Sequence, residues 1–138
     1  LEIQKENPCS PIFLIEKLDL TCCGMYYFPK ELLYLKNLKH LDLSHNNFSD
    51  IPDDFNALEN LEHLRLNGNT LDHIPEVIFE MQSIRILDLS YNSIQRVPYG
   101  ITKMKNLEFL DVSFNKVEFV SLFMASLRKL EVFNLDNN

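Results

Sequence analysis

The chain has 138 residues, of which 46% are hydrophobic and 24% are charged, as expected for one globular domain with a core of its own. Its formal net charge is −7, from 13 Lys and Arg against 20 Asp and Glu, and no cluster of Lys or Arg offers a route to nucleic acid or to an anionic membrane surface. The longest apolar runs, such as residues 117–127, are too short and too often interrupted to span a bilayer.

Residues 1–14 precede the regular part of the chain, and we interpret them as an N-terminal cap or a degenerate repeat, with Cys9 and Ile12 at places where apolar residues belong. The opening LEIQKENPCSP lacks the charged and then apolar layout of a signal peptide. The chain has three cysteines, and two of them are adjacent at Cys22 and Cys23, so they form no disulfide framework. These features favour a reduced protein in the cytoplasm.

A unit of 23 residues follows and recurs without insertion. The units start at Ile15, Leu38, Leu61, Ile84, Leu107 and Leu130. Apolar residues stand three and five places after each start, as in LDLSHN from Leu41 and LDLSYN from Leu87. Eight places after the start comes Cys23 in the first unit and an asparagine in the others: Asn46, Asn69, Asn92, Asn115 and Asn138. Such regular self-similarity indicates a repeat architecture.

The pattern L-x-x-L-x-L-x-x-N/C-x-L, followed by a less regular half, resembles that of the leucine-rich repeat family over residues 15–138. The second half, with Ile-Pro at 51–52 and 74–75 and Val-Pro at 97–98, is similar to that of intracellular scaffolds such as Scribble, Erbin and the Ras-suppressor group. The resemblance implies a protein-binding module in intracellular signalling or scaffolding.

The physical role of each position supports the same fold. Alternation in LxL predicts a strand with its leucines turned inward, and the asparagine column can satisfy the backbone groups of the following bend. Pro then breaks the return segment away from regular helix, and apolar residues further on, such as Phe55 and Leu58, close the core. Because one coil cannot cover its own apolar face, the coils stack. We predict an α/β solenoid, a curved horseshoe with a parallel sheet on the concave face and 3-10, irregular or short helical segments on the convex face.

The fifth unit departs from this pattern. Ser121 replaces the Pro, and Phe119, Leu122 and Phe123 occupy positions that are mostly polar elsewhere. They indicate either a second contact surface or local repacking against a C-terminal portion outside this sequence, and we favour the repacking. The sixth unit is partial, and from it we expect the array to continue beyond residue 138.

Catalytic motifs are lacking: the chain has 3 glycines and no phosphate loop, G-x-S-x-G, H-E-x-x-H or C-x-x-C. His40 and His63 share one repeat position, so they should lie roughly 5 Å apart on adjacent strands, but no carboxylate or thiol completes a metal site. The repeated aspartates could act as acid and base, yet LDLS is common in this family without catalysis. We therefore predict no enzyme, cofactor or metal site.

The residues between the leucines face outward on the concave side, where folding demands no particular side chain. The first three units present charged residues, histidines and small polar residues there. The later units present apolar and aromatic residues set among two aspartates, which should repel each other on neighbouring strands. The predicted partner-binding residues are Ile86, Asp88, Tyr91, Phe109, Asp111, Phe114 and Val132. A contiguous exposed patch of this makeup is typical of an interaction site.

The leading hypothesis is a binding module whose concave sheet docks a protein with a basic and apolar surface. An alternative is the regulatory or targeting arm of a larger enzyme, such as a kinase, phosphatase or ubiquitin ligase, with its catalytic domain outside this chain. A third hypothesis, a structural spacer, predicts an inert inner face.

Overall fold

The computed structural model describes residues 11–138. Its strands are two or three residues long, because each coil turns away after one LxL motif. They are β1 Lys17–Asp19, β2 His40–Asp42, β3 His63–Arg65, β4 Ile86–Asp88, β5 Arg96–Val97, β6 Phe109–Asp111, β7 Phe119–Val120 and β8 Val132–Asn134. The return segments form 3-10 helices at Pro11–Leu14, Lys30–Tyr34, Phe55–Ala57, Glu76–Glu80, Tyr99–Lys103 and Leu122–Ser126.

Six of these strands form one parallel sheet in the order β1-β2-β3-β4-β6-β8. The register advances by one repeat at each step, so that Lys17 pairs with His40, and His40 with His63. The two remaining strands, β5 and β7, pair in parallel on the return side. The predicted solenoid with its parallel sheet and short 3-10 segments is confirmed.

The core lies between the sheet and the return segments. The inward leucines of the central units, such as Leu64 and Leu87, are fully buried, and so are Phe55 and Ile101 on the opposite wall. Each side chain of this kind stabilises the fold by about 1.5–3 kcal/mol through burial. Ser121, which replaces the Pro of earlier units, is buried and caps the last 3-10 helix by accepting a hydrogen bond from the Phe123 amide at 3.3 Å.

The asparagine column forms a ladder of hydrogen bonds between units. Asn92 Nδ2 donates to the carbonyls of Leu66 and Leu89, each at 3.0 Å, and Asn92 Oδ1 accepts from the Leu71 amide at 3.0 Å. Asn46, Asn69, Asn115 and Asn138 repeat this arrangement. In every case the asparagine reaches back to the preceding unit, where it completes a turn. The predicted role of this column is confirmed.

Of the predicted cap over residues 1–14, only Pro11–Leu14 falls within the described residues, and Cys9 lies outside them. Within residues 11–138, no helix is long and apolar enough to cross a membrane.

Candidate functional site

The backbone takes a left-handed conformation at the end of each sheet strand, one residue before the asparagine position. The φ angles there are between +51° and +68°, at Cys22, His45, Gly68, Tyr91, Phe114 and Asn137. This conformation suits glycine and costs other residues about 1–2 kcal/mol. Only the third unit has the glycine, and a Cβ there would lie 2.5 Å from His45 Nδ1, because the His45 ring occupies that space. The bend is thus a feature of the repeat, whereas its side chains vary freely.

Two of these left-handed positions carry bulky aromatic residues. The rings of Tyr91 and Phe114 stack with centroids 4.2 Å apart and planes 7° from parallel. Their side chains remain exposed, at 54% for Tyr91 and 42% for Phe114. Since the bend disfavours large residues and the stack buries neither ring, the core does not account for their presence.

The structure brings all seven predicted partner-binding residues together on one end of the sheet. Ile86 pairs in register with Phe109, and Phe109 with Val132. Val132 is 46% exposed, while Ile86 and Phe109 are half-buried. We call the apolar members of this surface the aromatic patch: Ile86, Tyr91, Phe109, Phe114 and Val132.

The aspartates beside the patch have a structural role that the sequence analysis missed. Asp88 Oδ1 accepts from the amide of Ser90 at 3.0 Å and from its hydroxyl at 2.7 Å, and Asp111 Oδ1 accepts from the Ser113 amide at 2.8 Å. An Asp side chain that bonds the backbone two residues on stabilises a turn. The remaining oxygen of Asp111 accepts from Asn134 Nδ2 at 3.3 Å. These bonds use one carboxylate oxygen of Asp88 and both oxygens of Asp111.

Ion pairs line the edge where the chain enters the strands. Lys39 Nζ lies 2.9 Å from Glu16 Oε1, and Arg85 Nε lies 2.9 Å from Glu108 Oε1. These hydrogen bonds lower the pKa of both glutamates and raise the pKa of Lys39 and of Arg85. The charges of this edge are thus paired with one another.

The histidines predicted to be neighbours are confirmed as such: the rings of His40 and His63 are 4.1 Å apart, edge to face. Burial, and then the neighbouring His40, lower the pKa of His63. Across residues 11–138, no three His, Cys, Asp or Glu side chains converge as the ligands of a metal ion.

A second exposed apolar cluster lies on the convex side. Leu122 is 92% exposed, and Phe119 and Phe123 are 53% and 63% exposed. The ring of Phe123 meets Tyr99 edge to face at 5.3 Å. The repacking that we favoured for this segment, against sequence beyond residue 138, stays a prediction.

Solved structures with the same architecture come from bacteria and plants. A leucine-rich repeat protein of Leptospira interrogans has a TM-score of 0.84 and 31% identity, over 90% of this chain and 32% of that one. The ectodomain of the receptor kinase SOBIR1 of Arabidopsis thaliana has a TM-score of 0.70 and 28% identity, over 88% and 69% of the two chains. A chain of the Arabidopsis thaliana BIR3–SERK2 complex has a TM-score of 0.62 and 31% identity, over 71% and 55%.

The chain therefore spans 32% of the Leptospira protein, and no curated protein sequence matches it. The family model for the leucine-rich repeat matches residues 14–71 and 59–117, which together cover most of the sequence. Leucine-rich repeat domains are generally protein–protein interaction modules, and their fold is typically non-enzymatic. On these grounds, the chain belongs to the leucine-rich repeat family.

Proposed function

We propose that this solenoid binds a protein partner through the aromatic patch on its concave face, as part of a signalling or scaffolding assembly inside the cell. The observation that carries the proposal is the stacked, exposed pair of Tyr91 and Phe114 on left-handed backbone. The fold tolerates glycine at this position, as Gly68 shows, so large aromatic residues there are best explained by a ligand.

The shape and composition of the patch suit a protein ligand. Its side chains project from hydrogen-bonded strands and from the bends that follow them, so few degrees of freedom are lost on association. Aromatic and aliphatic groups form its centre and partly bonded carboxylates its margin, as in protein interfaces. The Asp88 oxygen that makes no turn bond would receive a basic group from the partner. Among similar structures, one array belongs to a complex of two proteins, BIR3–SERK2. The exposed thiols of Cys22 and Cys23 fit a reducing compartment.

The test is affinity capture from cell lysate with three versions of the chain, after circular dichroism has verified that each is folded. The first is native, the second carries Phe109→Asp and Phe114→Asp, and the control carries Tyr27→Asp and Leu122→Asp at exposed positions outside the aromatic patch. We expect a protein retained by the native and control chains and lost from the patch variant. Identical profiles from all three would reject the patch as the binding surface.

A second proposal is that the array is the regulatory or targeting arm of a larger enzyme, such as a kinase, phosphatase or ubiquitin ligase. The similarity to the ectodomain of the receptor kinase SOBIR1 supports it. Reading the complete open reading frame tests this proposal, because a catalytic domain next to the array would establish it and its absence would refute it. In either case the patch would serve as the recognition surface.

A further inference from the structure

The first three strands of the sheet carry a shallow depression that is separate from the aromatic patch. Its volume is about 330 Å³. Its lining consists of Lys17, Leu18, Asp19, His40, Leu41, Asp42, His63 and Arg65. Lys17, His40 and His63 stand in register on β1, β2 and β3. They form one row of nitrogen-bearing side chains across the floor, which we call the histidine row.

The acceptors of this depression are largely occupied. Asp19 Oδ1 accepts from the Thr21 amide at 2.9 Å, and Asp42 Oδ1 accepts from the amide and the hydroxyl of Ser44. The other oxygen of Asp42 lies 3.6 Å from Arg65 Nη1. Each carboxylate is thus bound to its own turn, and Asp42 also to Arg65.

The donors are not occupied in the same way. Within residues 11–138, the Lys17 ammonium group and the imidazoles of His40 and His63 have no hydrogen-bond partner, and the two imidazoles contact each other only edge to face. Because the donors lack partners while the acceptors have them, this depression suits a ligand with hydrogen-bond acceptors. A carboxylate has two oxygens that can accept charge-assisted hydrogen bonds.

We propose that the histidine row binds a carboxylate side chain of the same partner segment whose apolar side chains lie on the aromatic patch. This inference rests on the proposed function, and it adds that the partner carries an acidic side chain at the other end of the sheet. The row continues in register into the patch, from His63 to Ile86 and then Phe109. His40 and Phe109 are three strands apart, or roughly 14 Å. An extended segment rises about 3.3 Å per residue, so the acidic and apolar residues should be about four or five positions apart.

The charges around the row make this site sensitive to pH. Lys17 and Arg65 offset Asp19 and Asp42, while Glu16, Glu62 and Arg85 stand at the margin. Protonation of the His63 imidazole therefore makes the local charge more positive. Burial lowers the pKa of His63, which keeps its ring neutral at pH 7.5. A bound carboxylate favours the imidazolium form, so binding takes up a proton and strengthens as the pH falls toward 5.5.

The test uses a displayed library of random 12-residue peptides, selected on the whole 138-residue chain at pH 6. We expect the enriched peptides to carry Asp or Glu about four or five positions from Phe, Leu or Ile. A synthetic peptide of that consensus should bind at least fivefold more tightly at pH 5.5 than at pH 7.5. Lys17→Ala with His40→Ala should weaken it at least fivefold, whereas Lys116→Ala, at an exposed position outside the depression, should not.

Replacing the acidic residue of the peptide by its amide should abolish both the pH dependence and the effect of the Lys17→Ala and His40→Ala pair. If the enriched peptides are apolar without an acidic preference and still depend on Phe109 and Phe114, the carboxylate site is refuted and the proposed function stands. If the enriched peptides bind the Phe109→Asp and Phe114→Asp variant as tightly as the native chain, the carboxylate site and the proposed function are both refuted. The absence of any enrichment would also refute both.

Discussion

The two halves of the concave sheet share one backbone and differ in nearly every exposed side chain. Strands β1 to β3 and strands β4, β6 and β8 follow the same register, with the same left-handed bend after each. One half presents Lys17, His40 and His63, and the other presents Ile86, Phe109 and Val132. The repeat thus dictates where a side chain points, whereas the fold does not constrain its chemical character. The two halves should therefore respond alike to changes in the shared backbone and differently to changes in the exposed side chains.

The largest effect should come from the asparagine ladder, and it should be equal in both halves. Asn69→Ala and Asn115→Ala each leave one buried amide without a partner, that of Phe48 or of Ile94. Each also removes one of the two asparagine donors from two carbonyls. We expect each to lower the free energy of unfolding by about 3 kcal/mol, measured by urea denaturation. Asn60→Ala is the control, because Asn60 is exposed and makes one hydrogen bond to the Lys36 carbonyl. A large cost in only one half would show that the halves are not equivalent.

The aromatic pair should matter for binding and not for stability. In a Tyr91→Gly and Phe114→Gly variant, relief of the left-handed strain offsets the lost stack. We expect the free energy of unfolding to change by less than about 1 kcal/mol, while the affinity for the captured partner falls more than tenfold, or about 1.4 kcal/mol. Urea denaturation and a binding titration measure the two quantities. A stability loss well above 2 kcal/mol would instead make the pair a structural element.

Mild acid should destabilise the histidine half specifically. Because burial lowers the pKa of His63 in the folded chain, the unfolded chain takes up this proton first as the pH falls below about 6.5. Its contribution to stability is therefore present above that pH and is lost toward the lower folded pKa. Between pH 7.5 and 5.5, the urea midpoint of the native chain should fall more than that of His63→Asn. Equal slopes would contradict the burial of this ring.

The smallest effect is expected on the convex side. Leu122 is 92% exposed, so Leu122→Ser should change the free energy of unfolding by less than about 0.5 kcal/mol. Leu87→Ala, in the fully buried column of β4, should cost about 2–5 kcal/mol. Thermal denaturation of both variants gives the contrast. A strong effect of Leu122→Ser would mean that this residue is covered in solution.

The sequence was sufficient to predict the coils, their register and the juxtaposition of the seven candidate residues. Because the period is uninterrupted, residues at the same position in successive units lie side by side in the structure. The left-handed bend could not be predicted from one sequence. Gly68 is the residue type that this backbone conformation favours, whereas His45, Tyr91 and Phe114 at the same repeat position are not. Asp88 and Asp111 were read as surface charge because their turn bonds depend on backbone geometry. The unmet donors of the histidine row became evident only once the partners of Asp19 and Asp42 were known.

The backward reach of each asparagine has a consequence for how the chain is made. Asn46 completes the turn that contains Leu20 and Met25, and Asn69 completes the turn that contains Leu43 and Phe48. A ribosome delivers these units in order, at about 5–20 residues per second. Each coil therefore waits roughly one to five seconds for the next unit to supply its last hydrogen bonds. During synthesis, each coil of the array should complete its hydrogen bonds only after the following coil has been made.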